Sequence, residues 1–268
     1  MQRENSPLRV PRIFVINMAK DEGRRQAMLK RAAEMGLDLE FFEAVNGRNL
    51  SPDQMALYDS KKRCQFFGRD LTLGEIGCLL SHRGIYEKMV QENIPVAIIL
   101  EDDVIFEPDA KEVFASLPHS SVPWDVIRFL GSAKIYARGC RKIAPLIGRY
   151  WMARLPTAPG GAHGYMIKRE AAQVMLKHMQ KNWLPIDTLQ GRTWETGLET
   201  LVVYPAPLYP DQQEASTIGD DRFDKSVQLQ GLARVLFPIC RARYKLGELL
   251  GKKYIYLTSW VRDRSYGS

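Results

Sequence analysis

The chain has 268 residues, which is long enough for one large α/β domain or two small ones. Hydrophobic residues make up 45% and charged residues 26% of it, as in ordinary globular proteins, which excludes a disordered chain. No apolar run approaches the roughly 20 residues of a transmembrane helix, and the polar first 12 residues do not resemble a secretory signal. The four cysteines form no C-x-x-C pair, so a reduced, cytoplasmic protein without a zinc knuckle is expected.

The net charge of +7 is concentrated at the carboxyl end of the chain. Residues 222–268 contain ten Lys or Arg and three Asp or Glu, so the remainder of the chain is neutral. Enzymes that act on nucleic acids more often spread basic residues over their working face. We therefore expect no nucleic-acid partner for the body of the protein.

Apolar and β-branched runs alternate with segments of helical periodicity. The predicted strands cover residues 12–18, 40–45, 95–100, 125–130 and 165–167. The predicted helices cover residues 20–36, 72–91 and 168–181. Gly36 is the expected C-cap of the first helix, and Thr72 with Glu75 has the spacing of a capping box on the second. Residues 51–70 are polar and give no clear element.

This alternation predicts an α/β fold with a Rossmann-like, mostly parallel central sheet flanked by helices. In such sheets, ligands bind at the carboxyl ends of the strands. Asn17, the pair Asn46 and Gly47, and the acidic turn at residues 101–103 all follow predicted strands. The first strand is not followed by G-x-G-x-x-G, and the chain contains no P-loop sequence, which excludes these two nucleotide-binding classes.

The acidic turn consists of Glu101, Asp102 and Asp103 and follows a continuous apolar run typical of a central strand. Glu101 and Asp103 are two residues apart and would point to the same side if the strand geometry persists. Three adjacent carboxylates repel one another, and a divalent cation with oxygen ligands, Mg²⁺ or Mn²⁺, would relieve that repulsion. The alternative is that the acids only end the strand and open a loop.

Two further segments contain small residues. Gly74, Gly77 and Ser81 form a strip beside His82 on the second predicted helix, which suits either close packing against the sheet or contact with a ligand. The run at residues 160–165 (GGAHGY) suits either close approach of a ligand or a flexible loop. Asp187 follows a Pro-Ile pair and is compatible with a site carboxylate, although a helix N-cap is favoured on local grounds.

Taken in order, these segments resemble the family 25 glycosyltransferases, which include bacterial lipooligosaccharide galactosyltransferases. The matching pieces are FVIN followed by Arg24, AVNG at residues 44–47, GEIGCLLSH, AIILEDDV, GGAHGY and PIDT, within residues 13–188. The resemblance implies a GT-A type fold, a nucleotide-sugar donor such as UDP-galactose, Mn²⁺ or Mg²⁺, and inversion at the anomeric carbon. It also implies a glycan acceptor of the lipopolysaccharide or lipooligosaccharide type.

The same resemblance implies roles for individual residues. Glu101 and Asp103 would bind the metal, Asp103 directly, while the third protein ligand is not identified. The donor would contact residues from several segments: Asn17, Arg24, Asn46, Gly47, Ser81, His82 and Asp102. Two positions depart from the family pattern, since Asn46 replaces the usual aspartate and His163 stands where an aromatic residue is common.

An inverting transfer needs a base that removes the proton of the acceptor hydroxyl. Asp187 is the hypothesis for this base, because its segment follows the glycine-rich run, and Glu195 and Glu199 are its competitors. A non-catalytic nucleotide-sugar or glycan-binding protein is the alternative function.

The chain is expected to divide into a catalytic domain at residues 1–221 and a basic tail at residues 222–268. The domain would have a donor half at about 1–130 and an acceptor half at about 131–221. Leu232, Val235, Leu236 and Ile239 have helical spacing among basic residues, which predicts a helix at a membrane surface, interrupted by Pro238. Peripheral contact with the cytoplasmic face of the inner membrane would suit a lipid-linked glycan acceptor. The alternative is a helix packed on the body with a solvated basic side.

Overall fold

The computed structural model describes residues 9–129, 136, 139–156, 160–211 and 226–266. Its strands are β1 Arg12–Asn17, β2 Leu39–Glu43, β3 Val96–Glu101, β4 Val104–Phe106, β5 Val126–Arg128, β6 Arg141–Pro145, β7 Trp151–Arg154, β8 Gly164–Lys168, β9 Thr200–Tyr204 and β10 Leu208–Pro210. Its α-helices are α1 Glu22–Met35, α2 Pro52–Ala56, α3 Ser60–Phe67, α4 Leu73–Gln91, α5 Ala110–Ser116, α6 Arg169–His178, α7 Ile186–Gln190, α8 Thr193–Thr196 and α9 Gly231–Arg264. Short 3₁₀ turns occur at Gly47–Asn49 and Leu117–His119.

Eight strands form one central sheet in the order β2-β1-β3-β8-β5-β9-β7-β6. The pairings of β1 with β2 and β3, and of β5 with β9, are parallel, whereas β8 and β7 pair antiparallel with their neighbours. Thus β7 and β8 run against the other six strands of this sheet. The predicted α/β class, with helices flanking a mostly parallel sheet as in GT-A proteins, is confirmed for the described residues.

The sheet is covered on both faces, because successive apolar side chains along its strands point alternately into two separate cores. Ile13 and Val15 of β1 lie in a cluster with residues of α1 and α5. Phe14 and Ile16 point the other way, into a cluster with residues of α4 and α6. The strand β3 does the same, and residues 97–100 of it are fully buried. Burial on both faces explains why β3 has an uninterrupted apolar sequence.

Local signals fixed the helix ends that were predicted. Gly36 ends α1 in the left-handed conformation, with φ 60°. Before α4, the Glu75 amide donates to Thr72 Oγ1 at 3.2 Å and the Thr72 amide donates to Glu75 Oε2 at 2.8 Å, so the predicted capping box is confirmed. The unassigned residues 51–70 contain α2 and α3. The sequence signal there was a second capping box, at Ser51 and Gln54, which was overlooked.

The tail helix α9 runs for 34 residues through Pro238, so the predicted interruption at that proline is wrong. Pro238 lies in the second turn of an exposed part of α9, where water can replace the hydrogen bond that proline cannot donate. Further along, Tyr244 is buried among Phe66, Phe67 and Trp183 of the body. None of the described helices combines the length and apolarity needed to cross a membrane.

The expected division of the catalytic body into a donor half and an acceptor half does not correspond to separate parts of the sheet. The strand β5 precedes the expected boundary at residue 130, yet it lies between β8 and β9, which follow that boundary. The boundary itself, and the one between residues 221 and 222, lie outside the described residues. The division therefore stays a prediction.

Candidate functional site

Four strand ends meet at one edge of the central sheet. The carboxyl ends of β1, β3 and β5 lie there, and so does the amino end of β8, because β8 runs antiparallel to β3 and β5. Leu100 pairs with Gly164, and the Glu101 amide donates to the His163 carbonyl at 2.9 Å. The glycine-rich loop (residues 160–164) therefore lies beside the acidic turn.

The acidic turn forms a compact group of metal-ligand atoms with the histidine of that loop. Ligand atoms of Glu101, Asp103 and His163 all lie within 4.8 Å of one another. His163 Nδ1 is 3.0 Å from Glu101 Oε2. Asp103 Oδ1 is buried and has no hydrogen-bond partner among the described residues. An orphaned carboxylate oxygen beside a second carboxylate fits a divalent cation, and His163 is a candidate for the third protein ligand, which was not identified from the sequence.

The electrostatics of this group agree with a site for positive charge. Burial, together with the charge of Glu101, raises the pKa of Asp103 to about 6. Burial lowers the pKa of His163, but its hydrogen bond to Glu101 and the negative charge of that residue outweigh the burial, so the pKa is raised overall. Both shifts arise because negative charge is crowded into a partly desolvated place, and a bound cation would offset that charge.

Glu101 also belongs to a second close group, with Cys78 and His82 of α4. Burial raises the pKa of the Cys78 thiol well above its ordinary value, so forming a thiolate there is costly. Oxygen-rich ligand sets suit Mg²⁺ and Mn²⁺, whereas thiolates suit softer metals. The group of Glu101, Asp103 and His163 is thus the better fit to the predicted cations.

The middle residue of the acidic turn is held by two of the predicted donor-binding residues. Asn17 Nδ2 donates to Asp102 Oδ2 at 2.7 Å, and Arg24 donates to Asp102 Oδ1 at 3.0 Å. Asp102 is 8% exposed, so the network is largely buried. Asp102 therefore connects the carboxyl end of β1 and the first turn of α1 to the acidic turn. Contact of these three residues with a donor stays a prediction.

The small residues of α4 bring its backbone against the turn that contains Asn46 and Gly47. A Cβ on Gly77 would lie 2.5 Å from the Val45 carbonyl oxygen, and one on Gly47 would lie 1.7 Å from the Leu73 carbonyl oxygen. Ser81 Oγ accepts from the Val45 amide and donates to the Gly77 carbonyl, both at 2.8 Å. Close packing thus explains Gly77 and Ser81, and the part of Asn46, Gly47 and Ser81 in donor binding stays a prediction.

His82 is fully buried beneath the site. Its Nδ1 lies 2.8 Å from the Tyr165 hydroxyl, which lies 2.7 Å from the Tyr86 hydroxyl. Gln190 of α7 donates to Tyr86, so the network joins α4, β8 and α7. Burial lowers the pKa of His82 to about 4, which keeps the ring neutral. His82 Nε2 has no hydrogen-bond partner among the described residues, and its predicted proximity to a donor is untested.

Asp187 and Arg128 both hold the glycine-rich loop. Asp187, in the first turn of α7, accepts from the Gly161 amide at 2.8 Å and from the Thr188 amide at 2.6 Å. Arg128, at the end of β5, is 2% exposed and donates to the Gly161 carbonyl. Burial lowers the pKa of Arg128, and the negative charge of Asp187 offsets this effect only in part. Arg128 was not predicted from the sequence, although a basic residue inside an apolar strand was a signal for it.

The competitors of Asp187 are engaged elsewhere. Both carboxylate oxygens of Glu195 pair with Arg192. Glu199 pairs with Arg154 at 2.6 Å and with Arg262 of the tail helix. Among the three candidate bases, Asp187 is the one with a hydrogen bond to the glycine-rich loop. The geometry therefore favours Asp187 as the base, an assignment that stays a prediction.

A cleft opens beside Asp187, between the α7–α8 segment and the tail helix. Its lining residues are Gly160, Asp187, Thr188, Gly191, Arg192, Trp194, Glu248 and Lys252. It contains charges of both signs and an aromatic ring, and α9 supplies two of its charged residues. Such a surface has the hydrogen-bonding groups that a sugar would need.

Sequence comparison identifies relatives over most of this region. A family model described as glycosyltransferase family 25 (LPS biosynthesis protein) matches residues 10–190. A glycosyltransferase 25 family member of Anopheles gambiae is 33% identical over 197 residues, which are 67% of this chain and 31% of that protein. Procollagen galactosyltransferase 2 of Homo sapiens is 25% identical over 248 residues, which are 78% of this chain and 38% of that protein.

A solved glycosyltransferase involved in glycosylation of the major capsid of PBCV-1 has a TM-score of 0.37 and 12% identity, and the alignment covers 72% of this chain and 81% of that one. The chain spans less than half the length of the two curated relatives, at 31% and 38%. The match of the family model nevertheless covers residues 10–190 of 268, including the whole acidic turn, the glycine-rich loop and Asp187. The chain therefore belongs to glycosyltransferase family 25.

Proposed function

We propose that this protein transfers a hexose, most simply galactose, from a UDP-sugar to a hydroxyl group of a glycan, with inversion at the anomeric carbon. The observation that carries the proposal is the convergence, at one sheet edge, of three side chains able to bind a metal and a separate carboxylate, Asp187. Membership of family 25 supports glycosyl transfer, and the human and mouse relatives named procollagen galactosyltransferase 2 support galactose.

Glu101, Asp103 and His163 would hold the metal, Mn²⁺ or Mg²⁺. When bound, the metal would neutralise the charge of the nucleoside diphosphate that leaves. The donor would lie along the same edge, against Asn17 and Arg24. The exposed Asn46 and the adjoining Gly47 would contact the nucleoside from the neighbouring turn.

Asp187 would act as the base. The acceptor hydroxyl oxygen forms a bond to the anomeric carbon while the bond from that carbon to the diphosphate breaks on the opposite side of the sugar. Asp187 takes the hydroxyl proton, so it must be ionised beforehand. Its hydrogen bonds from the Gly161 and Thr188 amides fix the position of the carboxylate. The cleft beside Asp187 is where the acceptor sugar would bind.

The acceptor we propose is a glycan of the lipopolysaccharide type, in keeping with the description of the matching family model. The names of the animal relatives favour a second candidate, a collagen acceptor. Transfer from UDP-galactose to a lipooligosaccharide core and to a procollagen peptide, measured side by side, would separate the two. Product on the peptide alone would reject the lipopolysaccharide acceptor.

The transfer itself is tested by following UDP release and product formation with UDP- and GDP-sugars, with and without Mn²⁺. Asp187→Asn is expected to keep metal-dependent donor binding and to lose at least about a hundredfold in turnover, in line with the contribution of a general base. Glu195→Gln is the matched control and should retain turnover. Turnover by Asp187→Asn within a few-fold of the unchanged protein would reject Asp187 as the base. Absence of turnover with every donor, alongside intact donor binding, would favour a non-catalytic binding protein.

A further inference from the structure

The tail helix exposes an unusual amount of apolar side chain. Eleven of its large hydrophobic residues are 43–72% exposed, whereas six such residues are scattered over the rest of the described chain. The eleven residues, here named the apolar face of α9, are Leu232, Val235, Leu236, Ile239, Leu246, Leu249, Leu250, Tyr254, Leu257, Trp260 and Val261. They extend along about 45 Å of helix at 1.5 Å per residue. Soluble proteins seldom leave so long an apolar surface open without a partner.

These residues lie on one side of the helix. At 100° per residue, all eleven positions fall within an arc of about 140°. The opposite side faces the body, where Tyr244, Ser259 and Asp263 are buried. Gly251 packs so closely on Trp194 that an added Cβ would lie 2.4 Å from the indole. The contacts with the body therefore fix the rotation of α9 and direct its apolar face outward.

The exposed charges on α9 are all of one sign. Its two acids are neutralised, since Glu248 pairs with Lys245 and Lys252, and Asp263 pairs with Arg154 and Arg141.

Every charged side chain of α9 that is classed as exposed is basic: Arg234, Arg243, Lys245, Lys253, Arg262 and Arg264. Three of these, Arg243, Lys253 and Arg264, project within the arc of the apolar face or at its edge. This surface is complementary to one that is both apolar and negatively charged.

We propose that α9 docks the protein on an anionic lipid surface, lying in the plane of the membrane with its apolar face among the headgroups and upper acyl chains. A helix with a large apolar side, exposed basic residues and aromatic residues such as Tyr254 and Trp260 suits the membrane interface. A second copy of the chain suits it less well, because pairing the same faces would bring Arg243, Lys253 and Arg264 near their own counterparts. The inference does not depend on the proposed transferase activity.

Docking in this orientation would also define where the cleft beside Asp187 lies. Glu248 and Lys252 line that cleft from the side of α9 opposite to the apolar face. A helix with its side chains is about 10 Å across, so the cleft would open roughly one helix diameter above the lipid. An acceptor glycan attached to a membrane lipid would reach it without leaving the membrane.

The test is cosedimentation of the full chain with phosphatidylcholine vesicles that contain or lack phosphatidylglycerol. We expect binding to the anionic vesicles, weaker binding to the neutral ones, and loss of at least about tenfold in partitioning for Ile239→Ser/Leu250→Ser/Leu257→Ser. The matched control is Leu29→Ser/Met55→Ser, which changes exposed hydrophobic residues elsewhere and should bind as the unchanged protein does. Neither set changes a residue proposed for catalysis.

A second pair of substitutions tests the charge and does not depend on the triple variant folding. Arg243→Gln/Lys253→Gln should weaken binding to anionic vesicles by about twenty-fivefold, at roughly fivefold per basic residue, and leave the weak binding to neutral vesicles unchanged. Failure of the unchanged protein to bind anionic vesicles would overturn the proposal. Equal binding to both kinds of vesicle, or a dimer in light scattering that the triple variant converts to a monomer, would overturn it as well.

Discussion

The buried histidine of α4 makes stability depend on pH in a calculable way. His82 is 0% exposed, and burial lowers its pKa from 6.5 to about 4. In the unfolded chain the ring takes up a proton near its ordinary pKa, whereas the folded protein resists protonation until the pH approaches 4. The unfolded state therefore binds more protons in this interval, and the free energy of unfolding falls as the pH falls.

The size of the effect follows from the two pKa values. Between about pH 7.5 and about pH 5, protonation of the unfolded ring reduces the free energy of unfolding by about 2 kcal/mol, with an upper limit near 3.4 kcal/mol at lower pH. The substitution His82→Asn removes the titrating ring and keeps an amide group that can reach the Tyr165 hydroxyl. It will cost stability at every pH, but that cost should depend less on pH.

The assay is urea unfolding of both proteins at about pH 7.5 and about pH 5. We expect the unchanged protein to lose about 2 kcal/mol more than His82→Asn over this interval. Comparing the two losses cancels other titrating groups, such as His163, that both proteins share. If the losses agree within about 0.5 kcal/mol, the depressed pKa of His82 is refuted, and with it the neutral ring beneath the site.

Three further outcomes follow from the structure. His163→Ala should weaken Mn²⁺ binding, measured by calorimetry, by at least about tenfold, whereas substitution of the exposed His178 by Ala should not weaken it. If the two variants bind Mn²⁺ with equal affinity, His163 is not a ligand of the proposed metal site. Gly77→Ala should lower the free energy of unfolding in urea by about 1–3 kcal/mol, because the added Cβ would lie 2.5 Å from a backbone oxygen. Gly247→Ala is the control and should be neutral or stabilising, because no atom lies within 4 Å of its added Cβ. Equal effects of the two substitutions would contradict the close packing at Gly77. Asp263→Asn should cost about 3 kcal/mol, because it removes the carboxylate that Arg141 and Arg154 share and leaves Arg154 with Glu199 alone. A cost below about 1 kcal/mol in thermal unfolding would show that the tail is not anchored there.

The parts of the site that the sequence predicted are those that local signals determine. The acidic turn follows an apolar strand, the Thr72–Glu75 capping box begins α4, and the glycines near them mark close backbone contacts. Each of these features depends on residues a few positions apart, so their spacing in the sequence determines how they are arranged in the structure. Pro238 is the exception, since a strong local signal was overridden in a helix held by its contacts with the body.

The residues that were missed depend on the direction of a strand. His163 reaches Glu101 because β8 runs antiparallel to β3, and nothing within residues 160–168 encodes that direction. Arg128 belongs to the site because β5 lies on the other side of β8, although 35 residues separate the two strands in the chain. The pairing of β7 with β9 is similarly non-local, which explains why those short strands were not assigned.

The position of β8 also sets the order in which the site can assemble. During synthesis the acidic turn emerges well before residues 160–168, so β3 and β5 must wait for the strand that lies between them. Until β8 is inserted, Glu101 and Asp103 have neither His163 nor the glycine-rich loop beside them. The proposed cation site is therefore complete only when the sheet is closed, and a chain that misfolds before β8 pairs never acquires it.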